Sequence, residues 1–105
     1  MSVTISTHGK ELTALIKGEI DHHTASSVRE MIDSEAQKNS PNTINLDFSG
    51  VTFMDSSGIG LIMGRYRLSQ MIGARLNVVN VPPHLQRMVS LSGITSLGVI
   101  KEDRC

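Results

Sequence analysis

The chain has 105 residues, 39% of them hydrophobic and 19% charged, which is enough for one packed domain and too little for two. Ten basic residues balance ten acidic ones, and this balance argues against a nucleic-acid partner. The sequence shows no membrane span and no signal peptide, and its single cysteine, Cys105, cannot form an internal disulfide, so we expect a cytoplasmic protein without a membrane partner.

The N-terminal segment predicts a β-hairpin followed by a helix. Val3 and Ile5 alternate with polar residues, His8–Lys10 is typical of a turn, and Leu12–Ile16 returns as a second strand. Asp21 is a suitable N-cap for a helix that ends at Asn39–Pro41. The apolar residues at helical spacing on the inward face of this helix are Ala25, Val28, Ile32 and Ala36.

Strands and helices alternate through the rest of the chain. The predicted elements are a strand over Ile44–Phe48, a helix from Ser56 or Ser57 to Gly73, a strand over Leu76–Val81, a helix from Pro82 to Gly93 and a short strand over Leu97–Ile100. This alternation implies crossover connections and parallel strands. The predicted fold class is therefore α/β: a mixed, mostly parallel sheet with an N-terminal hairpin and helices packed on it.

The second helix has a predicted inward face and several residues outside it. The inward residues are Ile59, Ile62, Met63 and Tyr66. Leu61 and Leu68 lie off this face, and the spacing fits an exposed contact strip as well as positions at the edge of the core. Arg65 and Arg67 are expected on a solvated face. Gly64 is expected to allow tight packing of the helix on the sheet.

The segment Phe53–Gly60 is the most unusual in the chain. Its carboxylate and two hydroxyls, Asp55, Ser56 and Ser57, lie between a strand and a helix, where the first helical N–H groups have no partner within the helix. Capping by Asp55 or Ser56 would account for these residues without any further role. The spacing alone supports capping and a functional role for these three residues about equally.

Two features favour function in this segment. Gly58 and Gly60 occupy the first helical turn, although glycine there costs about 1 kcal/mol relative to alanine, and they let another backbone approach closely. A phosphate on Ser57 would be stabilised by the helix N-terminus and opposed by the charge of Asp55. These effects are similar in size, so we expect phosphorylation to change the surface and leave the fold intact.

Catalytic and cofactor chemistry is less well supported. Ser57 does not lie in a G-x-S-x-G motif, and the glycines of Gly58–Gly64 miss the dinucleotide-binding spacing. A serine hydrolase stays open as a minor alternative, because a distant histidine could supply a general base. The candidate histidines are His8, His22, His23 and His84. No metal, cofactor or catalytic residue is predicted.

Two sequence blocks resemble the bacterial anti-sigma factor antagonists, which are single STAS domains. They are Gly18–Ala25 and Phe53–Gly60, the second continuing through Gly64–Arg67 to Ile72–Gly73. The Asp-Ser-Ser-Gly-Ile-Gly motif marks the family, and the Asp-His-His-Thr block resembles the sporulation branch, whose members oppose the anti-sigma-F kinase. The resemblance spans residues 1–101, so we assign residues 1–105 to one STAS domain.

The resemblance implies a phosphorylation cycle in which this chain is a substrate and a ligand, not an enzyme. In the family the second serine of the motif, here Ser57, is phosphorylated by an anti-sigma factor that is a serine kinase. The unmodified antagonist binds this kinase and releases the sigma factor, and a PP2C-type phosphatase removes the phosphate. The positions implied to contact the kinase are Glu19, Asp21, His22, Thr24, Asp55, Ser56, Gly58, Ile59, Gly60 and Leu61.

Two further expectations accompany the resemblance. A STAS module of a general stress or ligand-binding pathway is the alternative function, since it would share the fold and the serine. Family members also continue into a final amphipathic helix, for which the segment Lys101–Cys105 leaves little room.

Overall fold

The computed structural model describes residues 2–101, and Cys105 lies outside them. Within that range the elements follow the predicted order. They are β1 (Ser2–His8), β2 (Glu11–Ile20), α1 (His22–Asn39), β3 (Thr43–Met54), α2 (Ser56–Ile72), β4 (Arg75–Val79), α3 (Pro83–Leu91) and a 3-10 helix (Ile94–Leu97). No helix in the described range is long and apolar enough to cross a bilayer.

The strands form one sheet in the order β1-β2-β3-β4. β1 runs antiparallel to β2, whereas β2, β3 and β4 are mutually parallel, which confirms the predicted mixed α/β sheet. The hairpin turn has two residues, Gly9 with φ +60° and Lys10 with a negative φ, the combination of a type II′ turn. This turn matches the right-handed twist of the strands that it joins.

The core lies between one face of the sheet and the helices. Alternate residues of the two central strands are completely buried: Leu12, Ala14 and Ile16 of β2, and Ile44, Leu46 and Phe48 of β3. α1 contacts β1 and β2, and α2 contacts β3 and β4. Residues between the buried ones, such as Thr13 and Asn45, lie on the opposite face and are partly exposed.

The predicted last strand over Leu97–Ile100 is wrong. Its first residue ends the 3-10 helix, and Gly98, with φ +74°, reverses the chain immediately afterwards. Ile100 makes only an isolated parallel bridge to Val78. The N–H of Val78 donates to the carbonyl of Val99 at 2.7 Å, and the N–H of Lys101 donates to the carbonyl of Val78 at 2.9 Å. The apolar run therefore pairs with β4 at this one point and forms no strand of the predicted length.

The inward face of α2 is rotated from the predicted one. Its buried residues are Gly58, Leu61, Ile62, Arg65 and Ser69, whereas Ile59, Met63 and Tyr66 are only partly buried. Leu61 is 5% exposed, so it belongs to the core and not to a contact strip. Apolar spacing alone misplaced the face because glycine, arginine and serine occupy three inward positions.

Arg65 is buried, contrary to the predicted solvated position. Its side chain crosses to α1, where Nε lies 3.1 Å from Oδ1 of Asp33. Gly64 does not serve tight packing either, because a Cβ at this position would meet no atom within 4 Å. Gly58 has that role instead, since a Cβ there would collide with the side chain of Met54.

Candidate functional site

The two predicted blocks come together where β2 and β3 end. The parallel register pairs Ile20 with Met54, so both strands finish at the same edge of the sheet. The N–H of Asp55 donates to the carbonyl of Ile20 at 3.1 Å and fixes the two ends to each other. α1 and α2 therefore begin side by side, and the unpaired N–H groups of both first turns lie at this edge.

Asp55 caps α2, as the capping interpretation predicts. Its carboxylate accepts a hydrogen bond from the N–H of Ser57 at 2.8 Å, and its carbonyl accepts from the N–H of Gly58 at 3.0 Å. The hydroxyls of Ser56 and Ser57 have no hydrogen-bond partner within residues 2–101. Capping thus explains the carboxylate and leaves both serine hydroxyls without a structural role.

A capping box at Asp21 organises the start of α1. Its carboxylate accepts from the N–H groups of His23 and Thr24, each at 2.9 Å, and the hydroxyl of Thr24 accepts from the N–H of Asp21 at 2.8 Å. The same hydroxyl donates to the carbonyl of Glu19 at 3.0 Å. The hydrogen bond from the Thr24 N–H, assisted by that from His23, holds the pKa of Asp21 below its ordinary value despite desolvation.

The predicted contact residues differ in what they offer a partner. The exposed ones are Glu19, His22, Ser56 and Gly60; the partly exposed ones are Asp21, Thr24, Asp55, Ser57 and Ile59; Gly58 and Leu61 are buried. The side chain of Leu61 and the small volume at Gly58 thus serve packing. The remaining positions form a continuous surface around the two helix N-termini, which we call the strand-end surface.

Two residues outside the predicted contact positions also lie at this edge. Phe53 is 52% exposed and is paired in the β2–β3 register with Glu19. Its place two residues before Asp55 is a usable sequence signal, because an aromatic residue at the polar end of a strand is a candidate for a contact surface. Nε2 of His84, in the first turn of α3, donates to the carbonyl of Thr52 at 3.0 Å. No local pattern could reveal this long-range contact.

The geometry fits acceptance of a phosphoryl group better than hydrolysis. In residues 2–101 no histidine is hydrogen-bonded to either serine: His84 contacts β3, and the rings of His22 and His23 pack against each other with centroids 5.6 Å apart. A hydroxyl on the first turn of a helix faces free N–H groups that stabilise added negative charge.

Comparison with known proteins decides the family. Residues 3–103 match the STAS domain family. The chain belongs to the STAS family. It is 35% identical over 94 residues to the anti-sigma F factor antagonist of Paenibacillus polymyxa, covering 90% of this chain and 80% of the relative. The resemblance to the anti-sigma factor antagonists is thereby confirmed.

Solved structures agree with this assignment. The anti-sigma factor antagonist SpoIIAA in its unphosphorylated form aligns with a TM-score of 0.84 at 25% identity, over 98% of this chain and 89% of that one. SpoIIAA in its phosphorylated form aligns with a TM-score of 0.76 at 25% identity, over 98% of this chain and 92% of that one. This STAS domain therefore has the SpoIIAA fold.

Proposed function

We propose that this STAS domain is a cytoplasmic anti-sigma factor antagonist switched by phosphorylation of Ser57. Unphosphorylated, it binds an anti-sigma factor that is a serine kinase, and the bound sigma factor is released. Phosphate on Ser57 ends the binding, and a PP2C-type phosphatase restores it. The domain acts as ligand and substrate, not as an enzyme. The observation that carries this proposal is the unbonded, partly exposed hydroxyl of Ser57 on the first turn of α2.

The contacts around Ser57 support the second serine over the first. Its backbone N–H is tied to the carboxylate of Asp55 at 2.8 Å, so its position at the helix start is fixed. Ser56 is more exposed but lacks this backbone restraint. A serine whose backbone is held in place is easier for a kinase to align with a nucleotide phosphate than one on a mobile backbone.

A phosphate on Ser57 changes binding more than folding. The helix N-terminus favours the added charge by about 0.3–1 kcal/mol, and repulsion from the neighbouring Asp55 carboxylate opposes it. A partner that covers the strand-end surface has to desolvate the dianion, which costs several kcal/mol. The domain therefore stays folded with and without the phosphate, but it binds the kinase only without it.

The strand-end surface supplies the other contacts of the proposed complex. Glu19 and His22 are exposed beside the start of α1, and Gly60 on α2 presents bare backbone because no side chain shields it. Asp21 and Thr24 contribute through the capping box, which holds their loop in one conformation. Asp55, Ser56 and Ile59 complete the surface around Ser57.

Phosphate transfer tests the proposal directly. The protein is incubated with Mg-ATP and the anti-sigma kinase encoded beside it, and its intact mass is measured. We expect one added phosphate on the native chain and on Ser56→Ala, and none on Ser57→Ala. Phosphate on Ser57→Ala, or none on a native chain that binds the kinase, would contradict the assignment.

Affinity for the same kinase tests the switch. Ser57→Ala is expected to bind as tightly as the unmodified protein, because the substitution removes only a hydroxyl that has no hydrogen-bond partner. Ser57→Glu places a charge at the surface that the partner covers, so we expect its affinity to fall by about 100-fold. Equal affinity of the three forms in calorimetry would refute the switch.

A further inference from the structure

The outer edge of β1 lacks the features that usually prevent an edge strand from pairing with a strand of another chain. β1 is the first strand of the sheet, and within residues 2–101 no strand pairs with its outer side. Its seven residues pair with β2 in unbroken register, without a bulge. The segment Ser2–Thr7 contains no proline and no charged residue. Lysine, proline, bulges and short length are the common protections of an edge, and β1 has none of them.

The hairpin turn determines which backbone groups face outward. A two-residue type II′ turn makes His8 and Glu11 a hydrogen-bonded pair. Hydrogen-bonded and non-hydrogen-bonded pairs alternate along an antiparallel ladder. The non-hydrogen-bonded positions on β1 are consequently Val3, Ile5 and Thr7. Their N–H and C=O groups point away from β2 and are available to another strand.

A groove with two apolar side chains, Ile5 and Met31, lies under the same edge. It has a volume of about 510 Å³ and is lined by Ile5 together with residues of α1. Ser27, Met31 and Ser34 follow helical spacing along that helix, and Met31 is 43% exposed. The long side chain of Met31 thus lies between the small side chains of Ser27 and Ser34, next to the unpaired edge of β1.

We propose that this edge pairs with β1 of a second copy of the chain, antiparallel and about a two-fold axis at Ile5. The outward groups at Val3, Ile5 and Thr7 are symmetric about the central residue, so Val3 meets the partner's Thr7 and Ile5 meets the partner's Ile5. Three residues with one donor and one acceptor each give about six interstrand hydrogen bonds.

The second copy fits the groove as well as the strand. Directly opposite residues share a face, so both Ile5 side chains lie on the core side of a continuous sheet and α1 of each copy flanks the axis. The α1 stripe has a serine on either side of Met31, and it can therefore meet its own copy in the antiparallel direction. Self-complementarity of both elements favours a second copy over an unrelated peptide.

Charge gives this dimer a recognisable salt dependence. Glu30 and Glu35 line the groove on α1, and two copies would bring like charges towards each other across the axis. Salt screens such repulsion. The proposed dimer therefore strengthens as ionic strength rises, the reverse of an association driven by opposite charges.

Sedimentation velocity and amide hydrogen exchange test the proposal on the complete chain. From about 10 μM to 1 mM we expect a monomer–dimer equilibrium that shifts to dimer with added NaCl. Over the same range the amides of Val3, Ile5 and Thr7 gain protection, whereas they exchange rapidly in the monomer. A sedimentation coefficient that stays monomeric throughout would overturn the proposal.

Three variants separate the edge from general effects. Thr7→Pro removes an outward N–H and leaves the β1–β2 hydrogen bonds in place. Met31→Glu adds a third like charge at the centre of the groove, next to Glu30 and Glu35. Each is expected to weaken dimerisation at least tenfold while circular dichroism and thermal melting show a folded domain. Met71→Glu is the matched control, because this methionine is 83% exposed on α2 away from the edge. Dimers that survive both edge variants, or that disappear in the control, would refute the interface.

Discussion

Gly58 and Gly60 lie two residues apart on α2, but they differ in whether the structure has room for a side chain. A Cβ at Gly58 would collide with the side chain of Met54, which is 1% exposed at the end of β3. A Cβ at Gly60 would meet nothing within 4 Å. The first glycine is needed for packing, whereas the second keeps a helix backbone bare on the strand-end surface.

Alanine substitutions should show this difference in stability. We expect Gly58→Ala to lower the free energy of unfolding by about 1–3 kcal/mol, because the core must shift to admit the methyl group. Gly60→Ala should raise it by up to about 1 kcal/mol, since alanine is the better helix former. Urea denaturation followed by circular dichroism measures both. Equal effects of the two substitutions would contradict the packing role of Gly58.

Between elements, the contact of α1 with α2 contains a charged pair in a largely apolar setting. The Arg65 side chain is 7% exposed and that of Asp33 is 31% exposed. Burial lowers the pKa of the Arg65 guanidinium, and the charge of Asp33 opposes this effect. Within residues 2–101, Nε and Nη1 of this arginine and Oδ1 of Asp33 are buried without a hydrogen-bond partner, so the pair is held by the attraction of opposite charges.

The two partners of this pair should respond unequally to substitution. Asp33→Asn leaves a buried guanidinium without a counter-charge, and we expect a loss of about 1–3 kcal/mol in the free energy of unfolding. Arg65→Met should cost less, because the remaining carboxylate is partly exposed and can be hydrated again. Chemical denaturation of both variants and of the double variant forms the test; a larger loss for Arg65→Met would show that packing, not charge, dominates.

Across the whole molecule, the sheet face opposite the helices is organised by polar side chains. The amide nitrogen of Asn45 donates to Glu11 at 2.7 Å and to Thr13 at 3.2 Å, and its oxygen accepts from Asn77 at 3.0 Å. Asn77 is only 6% exposed, so its amide depends on this partner. Hydrogen bonds between side chains thus join three strands, β2, β3 and β4, on this face.

Removing the central member of this chain should destabilise the domain. Asn45→Ala leaves the buried amide of Asn77 without its acceptor, and we expect a loss of about 1–3 kcal/mol. Asn42→Ala is a suitable control, because this asparagine is exposed and its side chain has no hydrogen bond within the described residues. Thermal unfolding compares them. A loss no greater than that of the control would mean that water replaces the amide contact.

Features determined by residues close together in the sequence were predicted correctly, and features determined by residues far apart in the sequence were not. The caps Asp21 and Asp55 and the turn at Gly9 were predictable because a few neighbouring residues determine them. Burial of Arg65 and the course of the chain after Gly98 were not, since they depend on residues remote in sequence. The predicted blocks meet at one edge because parallel strands end together. The role of Ser57 stays a prediction.

The meeting of strand ends and helix starts at one edge has a consequence for how such domains diverge. Residues of the strand-end surface make few of the contacts that hold the core, which lies further along the strands and helices. Paralogues in one cell can therefore acquire different partners by exchanging a few of these residues, without repacking their interiors. Under the proposed function, discrimination between the partners of such paralogues depends on a small number of surface positions.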